Sequence, residues 1–142
     1  MSDQPVVYIA CPYAHSDPAV RQHRFETASR AASKLMQNGV AVFSPLSHSV
    51  PIVEIGQLGE RGHDFWMACD LPLLQRCDEL LIVGMNGWRE SRGVIEEMFK
   101  AMLWRKPITL ISERDIDQLP AVPASARTFL ISQVFKESKA DA

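Results

Sequence analysis

Four short apolar runs, VVYIA (Val6–Ala10), VAVF (Val40–Phe43), ELLIV (Glu79–Val83) and PITLI (Pro107–Ile111), recur along this chain with helix-length segments between them. Runs that are apolar at nearly every position, rather than at alternate ones, belong to strands buried on both faces. Strands of that kind, joined by helical crossovers, build a mainly parallel sheet of four to five strands with helices on both sides. An α/β, three-layer sandwich is the expected class.

The connecting segments carry helix punctuation. CPYAHSDP after the first run is rich in breakers, and Ser16 or Asp17 can cap a helix that has Pro18 in its first turn. Phe25, Ala28, Ala32, Leu35 and Met36 give that helix an apolar face, and Asn38-Gly39 closes it. From Ser44 to Gly62, two prolines and three glycines predict a long connection, which in a small domain often serves as a lid. Helices are expected over His63–Arg76 and Ser91–Trp104. A further helix over 115–133 would be interrupted by Pro120 and Pro123.

At 142 residues the chain has the size of one domain, taken as residues 1–142. Its formal net charge of −2 is spread without a basic stripe, which argues against a nucleic-acid partner. No apolar run approaches the ~18–20 residues that span a bilayer. VVYIA is too short for a signal-peptide core and no basic residue precedes it, so no membrane partner is expected and the cytoplasm is the default location. The three cysteines Cys11, Cys69 and Cys77 lack metal-site spacing and read as small buried side chains.

Ligands of a parallel sheet sit beyond the carboxyl ends of the strands, in the crevice where strand order reverses. CPYAH, SPLSH, GMNGWRES and ISER all fall on that rim. Among the rim carboxylates, Glu97 stands out. Val94, Ile95, Met98, Phe99, Met102 and Leu103 form the apolar stripe of its helix, with Glu96 and Glu97 on opposite flanks. Glu96 has Lys100 four residues later, the ordinary pair of a solvated face, and Glu97 has no such partner. Gly93 and Ala101, four residues to either side of Glu97, leave room for a ligand to approach. A helix-flank glutamate in a salt bridge is the alternative reading.

Asp70 lies toward the apolar side of its helix, with Trp66 before it and Leu73 and Leu74 after it. It either caps a helix segment restarting near Pro72 or is a desolvated acid suited to proton donation. Two carboxylates in one crevice suggest glycosyl-bond chemistry. A pair ~5–5.5 Å apart supports double displacement, with one carboxylate as nucleophile and the other as proton donor. CPYAHSDP holds no glycine, which excludes a dinucleotide or nucleotide phosphate loop.

The motifs YIACPY on the first strand, DLPLLQRCD before the third and SRGVIEE opening the next helix resemble, in order and spacing, the nucleoside 2-deoxyribosyltransferase superfamily. That superfamily includes deoxynucleoside 5′-monophosphate N-glycosidases, and the similarity covers residues 6–111. The resemblance implies a flavodoxin-like or Rossmann-like fold, a nucleoside or nucleotide as small-molecule partner, no cofactor and a homo-oligomer. Carried over by position, the nucleophile falls on Glu97, the catalytic aspartate on Asp70 and the orienting tyrosine on Tyr8. Ser91 occupies the place of a phosphate-contacting serine.

Cys11, Pro12, Gly93 and Arg92 line the matching loops, and the inserted NGWRE puts Trp88 and Arg89 where a base could stack. Cys11 and Ile95 stand where the superfamily often has glycine. Pro12 and Ala14 stand where the glycosidases have a phosphate-binding serine and arginine, which leaves Arg21, Arg24 and Arg92 as the cations within reach. A residue from a neighbouring subunit completes the site in that superfamily, and Ser125 is the candidate here.

His15 and His48 lie in rim loops and can meet a substrate. His63 reads as a helix-start residue and His23 as an exposed helix position, and the four do not have zinc spacing. Two other readings are kept: a nucleotide-sensing module that lost the chemistry, and an interaction protein with a surface of Trp66, Trp88 and Trp104. Tryptophans at such spacing are more often core or subunit interface.

Overall fold

The computed structural model describes residues 4–120 and the backbone of 127–128. Strands β1 (Val6–Ala10), β2 (Ala41–Phe43), β3 (Glu79–Gly84) and β4 (Ile108–Ser112) are parallel, and β5 (Arg127–Thr128) pairs antiparallel with β4. They form one sheet in the order β2-β1-β3-β4-β5. This is the order of flavodoxin-like doubly wound sheets, whose crevice opens between β1 and β3, where strand order reverses.

Side chains alternate across the sheet and make two cores. On one face Tyr8, Ala10, Leu80, Ile82 and Ile108 pack with Leu74 of α3 (His63–Arg76) and with Val94, Met98 and Ala101 of α4 (Arg92–Leu103). On the other, Ile9, Leu81, Val83 and Ile111 pack against Ala31, Ala32 and Leu35 of α1 (Pro18–Gln37). Asp17 caps α1 through a 2.9 Å bond from the amide of Ala19, and Pro18 takes the first position. Asp78 accepts from the Val6 amide at 2.8 Å and so ties the start of β1 to β3.

Four expectations are corrected. The segment from Ser44 is no open lid, because α2 (Pro45–Gly56) fills it and packs beside α1. Pro45 is at the helix start, where its fixed φ favours the helix and its missing N–H costs nothing, so it opens the element instead of breaking it. The expected helix over 115–133 is absent where it can be seen: Glu113–Gln118 forms a short 3₁₀ turn, and Arg127–Thr128 is a strand. Cys69 is exposed, whereas Cys77 is buried and Cys11 half-buried.

The buried stripe of α4 is also rotated. Phe99 and Leu103 are 44% and 71% exposed, while Glu97 and Ala101 face inward. No helix among the described residues is long and apolar enough to cross a membrane.

Candidate active site

Ser91 caps helix α4, its hydroxyl accepting from the amide of Val94 at 3.3 Å. Glu97 follows in the second turn and is only 6% exposed, turned to the sheet beneath. Tyr8, in the middle of β1 and fully buried, donates its hydroxyl to Oε2 of Glu97. A buried carboxylate without a donor is costly, and this phenol supplies one.

Burial drives the Glu97 carboxyl up to about 8; the Tyr8 hydrogen bond opposes this, and the negative charges of Asp70 and Glu96 add to it. Burial, and then the charge of Glu97, raise the Tyr8 phenol too, so it stays protonated and donates. Asp70, half-buried on α3, is raised to about 6 by burial, against a lowering influence from His48. The negative charge of Asp70 adds to the rise of Glu97, so the pair titrates jointly; between about pH 6 and 8 it holds one proton, which resides mainly on Glu97. A nucleophile and a proton donor need one carboxylate and one carboxylic acid, and with Glu97 as the nucleophile that is the form in which the shared proton has moved to Asp70.

Tyr8, Asp70 and Glu97, expected from sequence, are therefore brought together by β1, α3 and α4. An aromatic relay joins them to the β2 side. The Phe43 ring lies 5.9 Å from that of Tyr8 and 5.4 Å from that of exposed His48 on α2, whose charge reaches Asp70. Phe43 was not singled out by the sequence; its pairing with Tyr8 in the parallel register is the signal that could have found it.

The other expected contacts are more dispersed. Cys11 is half-buried beside the cluster, where burial and the charge of Glu97 raise its thiol and that of Arg24 opposes them. Pro12 is fully buried. His15 is exposed and accepts the Asp17 amide on Nδ1 at 2.9 Å, a loop-fixing bond. Trp88 is 5% exposed and packed in the core, with the Arg89 guanidinium 5.0 Å over its ring, so it forms a wall and not an open stacking platform.

Ser91 and Arg92 line a groove of about 440 Å³ on the outer side of α4 with Glu90, Ile95, Glu96 and Phe99; Tyr8, Asp70 and Glu97 are not in its lining. The space at Gly93 is met by Met67 of α3, whose methyl would lie 3.6 Å from an added Cβ, and Ala101 is core. The small residues flanking Glu97 thus serve the packing of α3 on α4. Glu96 meets His63 at 3.2 Å, a partner drawn from α3 that the spacing to Lys100 concealed. Ser125 lies outside the described residues.

A solved structure of a 2-deoxyribosyltransferase from the psychrotolerant bacterium Bacillus psychrosaccharolyticus, described as a biocatalyst for synthesis of antiviral and antitumoral nucleosides, shares the fold. It superposes with a TM-score of 0.55 at 17% identity, covering 88% of this chain and 99% of that one. No curated protein matches the chain. The model of the family described as Domain of unknown function (DUF1937) matches residues 5–113, more than half of the sequence, and the chain belongs to that family.

Proposed function

We propose that this protein cleaves or transfers the N-glycosidic bond of a (deoxy)nucleoside or nucleoside 5′-monophosphate. The observation that carries the reading is the buried Tyr8–Glu97 hydrogen bond with a second, protonatable carboxylate, Asp70, within its field. The fold shared with a 2-deoxyribosyltransferase supports it.

In this mechanism the proton of the pair passes from Glu97 to Asp70 when substrate binds, and an oxygen of the ionised Glu97 attacks the anomeric carbon, forming a glycosyl ester as the bond to the base nitrogen breaks. Asp70 gives its proton to the departing base, so the base leaves neutral. Tyr8 holds Glu97 in line and returns its hydrogen bond when the ester is released. Water, deprotonated by Asp70, then yields the free sugar, or a second base takes the glycosyl group. The chain acts as a homo-oligomer in this proposal, as its superfamily resemblance implies.

The test is chromatographic. Wild type and Glu97→Gln are incubated with a panel of ribo- and deoxyribonucleosides and their 5′-monophosphates. Base released by wild type and not by the variant supports the reading and names the substrate. Thermal stabilisation by one of these compounds with no base released from any would instead identify a nucleotide-binding module without chemistry.

A further inference from the structure

Arg24 lies on α1, on the opposite face of the sheet from α4, yet its side chain is among the few buried charged groups, at 8% exposure. Its Nη1 donates to the carbonyl oxygens of Ala14 at 3.1 Å and Tyr13 at 3.4 Å, and its Nη2 donates to that of Asn86 at 2.9 Å. Tyr13 and Ala14 belong to the loop after β1, and Asn86 to the loop after β3. β1 and β3 are neighbours, and the order of the sheet reverses between them. These loops are therefore the facing walls of the crevice, and one guanidinium holds both.

The facing wall is shaped for it. Gly87 follows Asn86 with φ +89°, and a Cβ added there would lie 2.9 Å from Nη2 of Arg24. The glycine is needed both for its backbone conformation and for the space the guanidinium occupies. Among the described residues no carboxylate forms an ion pair with Arg24. A buried cation held by carbonyls alone costs stability that an apolar side chain in the same place would not. Fold stability is thus a poor account of an arginine here. Its planar fork matches carbonyls on two separate loops, and a lysine, with one nitrogen, does not.

We propose that Arg24 is a positioning residue: it locks the two crevice walls at one spacing, with Gly87 as the matching recess, and thereby sets the affinity of the site for its ligand. The kinetic part of this inference rests on the glycosyl-bond reading above; the structural part does not.

The experiment compares wild type, Arg24→Met, Arg24→Lys and Gly87→Ala by amide hydrogen exchange and by KM and kcat for base release. Arg24→Met is expected to speed exchange in both loops, 11–17 and 85–91, and to raise KM about tenfold, equivalent to one charge-assisted hydrogen bond, with a much smaller change in kcat. Arg24→Lys should restore slow exchange in one loop and not the other. Gly87→Ala should loosen the loop of 11–17 on the opposite wall, by displacing the guanidinium that holds it. A folded Arg24→Met with wild-type exchange in both loops and an unchanged KM overturns the proposal. If Arg24→Met does not fold, Gly87→Ala decides, and wild-type exchange over 11–17 overturns it. If wild type releases no base, the glycosyl-bond reading fails, and the exchange data alone decide whether the lock exists.

Discussion

The hydroxyl of Tyr8 donates to Oε2 of Glu97 across 89 positions of sequence, with both side chains buried. Each group answers the other's need: the carboxylate gains a donor, and the phenol gains an acceptor. The bond also fixes where the carboxylate points. Tyr8→Phe should lower turnover about 10²–10³-fold, the range for loss of one positioned hydrogen-bond donor. Since the hydrogen bond lowers the Glu97 pKa, its loss should move the Glu97 midpoint further up. A Tyr8→Phe enzyme with wild-type kcat and midpoint would show that the bond does not orient the nucleophile.

The pH profile follows from the joint titration. Below about 6 both Asp70 and Glu97 are protonated and no nucleophile remains; above about 8 both are ionised and no proton donor remains. kcat/KM should therefore be bell-shaped between those limits. Asp70→Asn removes a negative charge that raises Glu97, so the Glu97 midpoint should fall in that variant. Titration of Glu97 by carboxyl-specific NMR in both proteins checks the direction.

Glu97 should also leave a mark on stability. Its carboxyl is raised from 4.5 to about 8 on folding, so in the unfolded chain it ionises first. The neutral form favours the fold fully below pH 4.5, and that contribution is lost as pH rises towards and through about 8. Glu97→Gln keeps an acceptor for Tyr8 and cannot ionise. Denaturant unfolding should show the variant gaining on wild type across this window, by on the order of 4–5 kcal/mol at its alkaline end. A difference that stays flat with pH would count against a raised Glu97.

Glu96 tests the same electrostatics from outside. It pairs with His63 and adds to the upward pressure on Glu97. Glu96→Gln should lower the Glu97 midpoint and move the alkaline limb of the pH profile the same way, with little loss of kcat. An alkaline limb that stays in place would mean that Glu96 is too well screened to matter.

Gly84 gives a prediction independent of function. A Cβ at this last residue of β3 would meet the Ile111 carbonyl oxygen at 3.1 Å, Leu110 Cδ1 at 3.2 Å and Trp88 Nε1 at 3.3 Å. The first is backbone of the adjacent strand and cannot swing away; the other two are side-chain atoms of packed residues and must shift to make room. Gly84→Ala should cost about 1–3 kcal/mol by denaturant unfolding, the usual range for overpacking.

By itself the sequence determined the layer architecture, because continuous apolar strands can be buried only between two helical layers, and VVYIA, ELLIV and PITLI are such strands. It also determined that rim loops would gather at one end, and it brought Tyr8, Asp70 and Glu97 forward as candidates. It misread Pro45, since a proline marks a helix start as readily as a break, and Pro51, which the interior of α2 accommodates while that helix packs against α1. Tertiary structure decided the rotation of α4. Helical spacing put Glu97 on a flank, but the stripe that faces the sheet includes it, because Tyr8 beneath offers a donor and makes that burial tolerable. It also decided who meets whom across long separations: Glu96 with His63 and not Lys100, Met67 over Gly93, and Arg24 between two loops. Periodicity records which face of an element is apolar; the partner of a buried polar group comes from another element, and only the fold brings it there.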